Sequence, residues 1–252
     1  MTTGHPMNAA ATRARWINSA LVVIAVASLV WLTKDYRWSV VINSAPLLLK
    51  GLWYSWVLTI ASIAIGLPCG VLLALGRRSR IGPIRHVSAA YVEIIRATPQ
   101  LLVIFLVYFA VPALFGTRIP SWPAAILSLS MMAAAYLAEV VRGGLKSVPS
   151  VLIETGFSSG LSRGAILRFI VLPQALRTMI PAIIAHVVMM FKLTSLIYIV
   201  GINDFFRSVV LVNNRVYEPI PLYLTLAFGY FICCYLLSRL VRLFDNRAAA
   251  TV

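Results

Sequence analysis

The chain has 252 residues, of which 61% are hydrophobic and only 12% charged, with a mean hydropathy of +0.91. An ordinary soluble domain carries about 25% charged residues, and a water-soluble fold of this size could not hide so much apolar surface. Soluble globular and disordered classes are excluded. The 22 Lys and Arg outnumber the 7 Asp and Glu, for a net charge of +15. These cations punctuate long apolar runs instead of forming patches on a polar body, so the pattern is that of a multi-pass membrane protein and not of a nucleic-acid binder.

A spanning helix needs about 20 mostly apolar residues. The predicted spans lie near 16–33, 52–75, 98–115, 122–141, 178–200 and 219–241, an all-α architecture of six transmembrane helices. Arg13 and Arg15 precede the first run, and no small-x-small cleavage site follows it, so it reads as a retained helix. With the N-terminus inside, fifteen of the 22 basic residues fall on the cytoplasmic side, six on the outer side, and Lys192 falls within a span. This asymmetry predicts that both termini are cytoplasmic. Trp16, Trp31, Trp38, Trp53 and Trp122 stand near the predicted interfaces, where an amphipathic ring is favoured.

Two stretches do not span. Residues 81–98 carry Arg85, Glu93 and Arg96 and read as a helix along the inner surface, ended by Pro99, which opens the next span. The cytoplasmic segment 142–177 is too short and too apolar to be an enzymatic domain and suits the docking of a partner. Within it Pro149 fits a first helical turn, Glu154 follows in that helix, Gly160 permits a left-handed stop, and Ser162 is a candidate N-cap for a second short helix. Two short helices about a glycine turn make a knob that fits a cleft on another protein.

Five motifs then carry a resemblance. They are Tyr91-Val92-Glu93-Ile94-Ile95-Arg96-Ala97-Thr98-Pro99, the run Ala135-Tyr136-Leu137-Ala138-Glu139-Val140-Val141-Arg142-Gly143-Gly144, Glu154 with Gly160, Leu172-Pro173-Gln174-Ala175, and Lys192-Leu193-Thr194-Ser195-Leu196. In this order and spacing the chain resembles the permease subunit of a bacterial ATP-binding-cassette (ABC) importer, polar amino acid subgroup. The chain departs from that pattern at Ala97 (commonly Gly), Val151-Leu152 (Gly-Gln), Thr155-Gly156 (two Ala), Ser159 (Leu) and Leu193 (Asp).

The resemblance implies a type I importer permease fold in the bacterial inner membrane. Residues 1–46 would hold the cytoplasmic N-terminus, an extra first helix and a periplasmic segment. Residues 47–243 would form the permease domain with a coupling loop at about 143–177, and 244–252 a cytoplasmic tail. Glu154, Gly160, Leu161, Ser162 and Pro173 would dock the ATPase. The implied partners are an ABC ATPase dimer, a periplasmic solute-binding protein, a second permease subunit (identical or homologous), the lipid bilayer and a polar amino acid substrate, with no nucleic acid. ATP and Mg would be bound on the ATPase, and the permease itself would hold no cofactor or metal.

The residues alone agree on the energy source: no GxxxxGK[ST] loop occurs, and no HExxH is present. Cys69, Cys233 and Cys234 lie in apolar stretches without metal-ligand spacing. The candidate pathway or gate residues are Thr98, Gln100, Tyr136, Glu139, Lys192, Thr194 and Ser195. A charge at membrane depth costs about 2.5–3.5 kcal/mol on insertion scales; Lys192 therefore either faces the pathway or snorkels to an interface. Tyr136, Glu139 and Arg142 share a helix face, where Glu139 either shapes a gate or pairs with Arg142. Thr98 and Gln100 are either solute contacts or caps, and His186 is a packing residue or a ligand. Two other readings compete: a membrane-embedded enzyme using Glu139, His186 and Lys192, and a non-transporting structural subunit.

Overall fold

In the computed structural model, residues 34–249 are described; the expected first span at 16–33 lies outside them. Among these residues there are eight helices. They are α1 (Ser39–Gly76), α2 (Gly82–Ala97), α3 (Gln100–Phe115), α4 (Ser121–Lys146), α5 (Ser150–Ser158), α6 (Arg163–Val200), α7 (Phe205–Val216) and α8 (Pro219–Ala249). Four of them, α1, α4, α6 and α8, are each long and apolar enough to cross a membrane. The pair α2 and α3, bent by 112° at Thr98-Pro99, passes the same test together as a fifth candidate.

Helix α4 is the hub. Its Ser130, Ala133, Ala134 and Ala138 present a strip with almost no side-chain bulk, all of it buried. Gly66 and Gly70 of α1 lie against that strip: an added Cβ would stand 2.5 Å from Ala133 Cβ at position 66, and 2.9 Å from the Ala134 carbonyl oxygen at position 70. Lipid tails are as apolar as leucine, so helices in a bilayer associate by close packing, which small residues four apart allow. The pattern Gly66-x-x-x-Gly70 against Ser130, Ala134 and Ala138 supplies it.

Three apolar clusters run along the bundle. A central one joins Leu58, Ile104, Leu129, Met132, Met190 and Ile197. A second gathers Ala74, Val92, Val141, Val148 and Met179 at the end that carries α2 and α5. A third holds Leu48, Phe205, Val209, Val212, Leu222 and Leu226 at the opposite end, beneath α7.

Several helices exceed their expected bounds. α1 begins at Ser39, not at 52: the Lys50 ammonium rests over the Tyr54 ring at 5.7 Å and Gly51 packs against Ser208 of α7, so the helix continues through both. α6 begins at Arg163, not at 178, so the second of the two expected short helices is the first part of a span. It passes through a π-helical turn at Leu167–Val171 just before Pro173, which spares the hydrogen bond that proline cannot make. α7 was not expected at all. Its signal is present: Asp204 caps it through Phe206 N and Arg207 N at 3.2 and 3.0 Å, and Phe205, Val209 and Val212 recur at helical spacing on its buried face.

Candidate functional site

The knob forms as the local sequence dictates. α5 starts after Pro149 and stops at Gly160, whose φ of +78° is left-handed and favours glycine. Leu161 N and Gly160 N then donate to the Gly156 and Phe157 carbonyls at 3.1 and 3.0 Å, closing the helix end. Ser162 Oγ accepts from Ala165 N at 3.3 Å, the expected N-cap of α6. Gly156 is the seat of α5 on α6: an added Cβ would meet Ile170 Cδ1 at 2.9 Å and Ile166 Cγ1 at 3.0 Å. Outward from this seat, Val151, Leu152, Phe157 and Leu161 are exposed together with Glu154. Pro173 is exposed within α6, beyond the π turn. The knob is thus rigidly held on one side and leaves an apolar surface uncovered on the other.

At the same end of the bundle, Glu139 is gripped by three arginines from three helix segments. Arg77, following α1, pairs with Glu139 Oε1, Arg96 of α2 stands 3.6 Å from the same oxygen, and Arg142 Nε donates to Oε2 at 2.9 Å. Glu93 of α2 approaches Arg77 at 3.5 Å. The expected Glu139–Arg142 pair is therefore present, but it is one edge of a larger knot. The sequence marks Arg96 as part of an inner-surface helix and of a motif, and joins neither it nor Arg77 to Glu139. The signal that joins them is spatial: they close the ends of helices that pack against α4.

Arg96 also lies over the Tyr136 ring, 5.6 Å from its centroid, and Tyr136 stacks on His186 of α6 at 5.6 Å. His186 is buried, and its Nε2 has no hydrogen-bond partner among the described residues. Thr98 Oγ1 donates to the Ile94 carbonyl at 2.7 Å, a capping contact at the α2–α3 bend, and Gln100 opens α3 beside it.

Lys192, Thr194 and Ser195 sit elsewhere, where α6 tightens into a 3-10 helix over Thr194–Val200. Thr194 is buried and donates to the Phe191 carbonyl at 2.8 Å, and Ser195 donates to the Lys192 carbonyl at 2.8 Å. Lys192 and Ser195 line an open groove of about 530 Å³ with Phe206 of α7 and Tyr223, Tyr230 and Phe231 of α8. Glu139 and Lys192 are not brought together, and the Glu139 carboxylate is committed to guanidinium groups. No cluster of three or more His, Cys, Asp or Glu side chains suited to a metal occurs among the described residues.

Known proteins are similar in sequence and fold. The chain is 29% identical over 222 residues to the glutamate/aspartate import permease protein GltK of Escherichia coli O6:H1, covering 85% of this chain and 99% of the relative. It is 32% identical over 203 residues to the L-cystine transport system permease protein TcyB of Bacillus subtilis, covering 80% and 86%. Among solved structures, it superposes on a chain of an amino acid ABC transporter crystallised with histidines with a TM-score of 0.80 at 29% identity, covering 84% of this chain and 98% of that one. The fold also recurs in the MetNI methionine ABC transporter in an inward-facing conformation, with a TM-score of 0.60 at 24% identity over 79% of this chain and 96% of that one. Residues 66–250 match the family described as "Binding-protein-dependent transport system inner membrane component", and the chain belongs to that family as a permease subunit.

Proposed function

We propose that this chain is the transmembrane permease of an ATP-driven, binding-protein-dependent importer that moves a polar amino acid or a related derivative across the bacterial inner membrane by alternating access. The observation that carries the reading is the knob: a short helix closed by Gly160, seated on α6 through Gly156 and exposing an apolar face beside Glu154. The names of the relatives, permeases for glutamate and aspartate and for cystine, support an amino acid as the solute.

In this reading the knob faces the cytoplasm, where the arginine-rich ends of α1, α2 and α4 also lie, and both termini share that side. Six spans then include the run at 16–33. Residues 47–243 form the permease domain, with the coupling segment at 143–177 and the tail at 244–252. A separate ATPase dimer binds ATP and Mg and docks on Glu154, Gly160, Leu161, Ser162 and, further along α6, Pro173. A second permease, identical or homologous, completes the pathway, and a periplasmic binding protein delivers the solute.

The coupling follows from packing. A push on α5 passes through Gly156 to Ile166 and Ile170 of α6, and through Val148 to Val141 of α4 and Met179 of α6. Glu139 ties α4 to the ends of α1 and α2, so a tilt of α4 changes Thr98, Gln100 and Tyr136 together. Such a device transports only if ATP and solute prefer different states of the permease. Lys192, Thr194 and Ser195 belong to the pathway side of α6.

Co-purification of the candidate ATPase with the wild-type chain, Glu154→Ala and Gly160→Pro tests the reading. Proline cannot adopt the positive φ at position 160, so the knob would be reshaped. Retention by wild type and loss from both variants is the expected result. Equal retention by all three would sink the docking assignment.

A further inference from the structure

We propose that Lys192 receives the carboxylate of the transported solute, and that the groove around it selects amino acids of zero or negative net charge and rejects those with a cationic side chain. The inference rests on the permease reading above and adds the substrate's charge class. Three observations carry it.

The first is depth. Ser121 Oγ donates to the Val200 carbonyl at 2.8 Å, and Trp122 packs edge-on against Tyr54 at 5.2 Å, so the start of α4 and the end of α6 lie together at one edge of the bundle. Thr194–Val200 is a 3-10 helix, which rises about 2 Å per residue, placing Lys192 roughly 15 Å from that edge. The hydrocarbon core is about 30 Å thick, so a membrane edge at these span ends puts Lys192 near its middle, beyond the reach of a snorkelling side chain.

The second is the missing counter-ion. Lys192 is exposed into the groove and has no carboxylate partner among the described residues. Of the seven acidic residues, Asp35 precedes α1, Asp245 falls near the end of α8, and the other five are committed or remote. Glu93 and Glu139 face arginines, Glu218 pairs with Arg37, Asp204 is fully buried as the α7 cap, and Glu154 is on the knob. An ammonium at this depth cannot rest against lipid tails, so it faces water or a charged ligand.

The third is the wall. Phe206, Tyr223, Tyr230 and Phe231 face the same space, with Leu226 and Ala227, and among the described residues no acidic side chain lines it. A carboxylate on Lys192 leaves the α-ammonium over an aromatic face, where a cation is attracted by the ring, while Ser195 Oγ keeps lone pairs free to accept. Among the described residues the lining offers no carboxylate of its own to a second positive charge, and Asp204, behind Tyr230, is fully buried as the α7 cap.

The test uses the whole complex (permeases, ATPase and binding protein) in phosphatidylcholine vesicles, which hold no anionic headgroup to stand in for the solute. In one arm, Lys192→Cys in a chain carrying Cys69→Ala, Cys233→Ala and Cys234→Ala is treated with a water-soluble sulfonate thiol reagent. Labelling at least tenfold faster than at Ile60→Cys, on an exposed apolar face of α1, is expected. In the other arm, uptake is measured from a mixture of the twenty labelled amino acids. Wild type is expected to accumulate neutral or acidic amino acids and neither lysine nor arginine. Lys192→Met is expected to lose at least tenfold in uptake with the ATPase still bound, and Lys192→Arg to keep most of it. An inert thiol, uptake within twofold of wild type in Lys192→Met, or wild-type uptake of lysine or arginine overturns the inference and leaves the permease reading standing. A wild-type complex that accumulates none of the twenty overturns the inference, and one that in addition retains no ATPase overturns the permease reading as well.

Discussion

Arg77, at the end of α1, and Glu139, on α4, are 62 residues apart in sequence and form a direct ion pair in which both side chains are largely sheltered from solvent. The same carboxylate holds Arg142 and faces Arg96. One acidic group therefore offsets three guanidinium groups from three helix segments. Removing it leaves those cations close together with only the exposed Glu93 nearby. Breaking a buried pair by deleting one partner typically costs 3–5 kcal/mol, and partial exposure reduces that. Glu139→Gln is expected to destabilise the chain by about 1–3 kcal/mol, and Arg142→Gln by less, since Arg77 and Arg96 remain on the carboxylate. Thermal unfolding in detergent measures both; a Glu139→Gln midpoint equal to wild type would show that the knot does not hold the helix ends.

The contact between Gly66 and Ala133 supplies a second prediction. At position 66 an added methyl would sit 2.5 Å from Ala133 Cβ, whereas at Gly82 nothing lies within 4 Å. Gly66→Ala is expected to force α1 and α4 apart and lower stability by about 1–3 kcal/mol, the usual cost of overpacking. Gly82→Ala serves as the control and is expected to be near neutral. Adding Ala133→Gly to Gly66→Ala is expected to recover much of the loss, and a double-mutant cycle in unfolding midpoints gives the coupling directly. Simple additivity would mean that the two positions do not meet.

Much of this architecture was legible because lipid imposes it. Apolar runs long enough to span, and arginines gathered between alternate runs, located α4 and α8 to within a few residues at their starts, Ser121 and Pro219. The knob was legible too, because Gly160 and Ser162 are local signals whose geometry depends on few distant contacts. The lengths of α1 and α6 were not. Lys50 and Arg168 are long side chains that cover a helix surface as readily as they end one, and a helix that protrudes beyond the bilayer has no reason to stop at a charge. The α7 helix was hidden because its burial comes from α1 and α8, through Leu48, Leu222 and Leu226. The knot around Glu139 was half legible: the three-residue spacing to Arg142 shows in sequence, but Arg77 and Arg96 arrive only through packing.

Gly160 tests the knob by backbone conformation alone. Its φ is +78° and nothing lies within 4 Å of a Cβ there, so any cost of substitution is strain and not collision. Left-handed backbone costs an ordinary residue roughly 1–2 kcal/mol, while Asn visits it more readily. Gly160→Asn is expected to keep ATPase co-purification and Gly160→Val to weaken it several-fold. Equal binding by the two would mean that the left-handed turn is dispensable for docking.

Asp204 makes stability depend on pH. It is fully buried between α6 and α7, and burial pushes its carboxyl up from 3.8 to about 7, against the pull of hydrogen bonds from Arg207 N and Phe206 N. The folded state therefore holds a proton on Asp204 at pH values where the unfolded chain has released it. Stability from this group is fully present below about pH 4, falls as pH rises towards 7, and is flat above that. At 1.36 kcal/mol for each unit, the whole effect is at most about 4 kcal/mol. Asparagine caps a helix as well as aspartate does, so Asp204→Asn keeps both backbone contacts and carries no charge. Unfolding midpoints measured from pH 4.5 to 8 are expected to fall across that range in wild type and to fall less in Asp204→Asn, which becomes the more stable of the two at pH 8. Parallel curves would show that Asp204 stays ionised throughout, with Arg207 sustaining its charge.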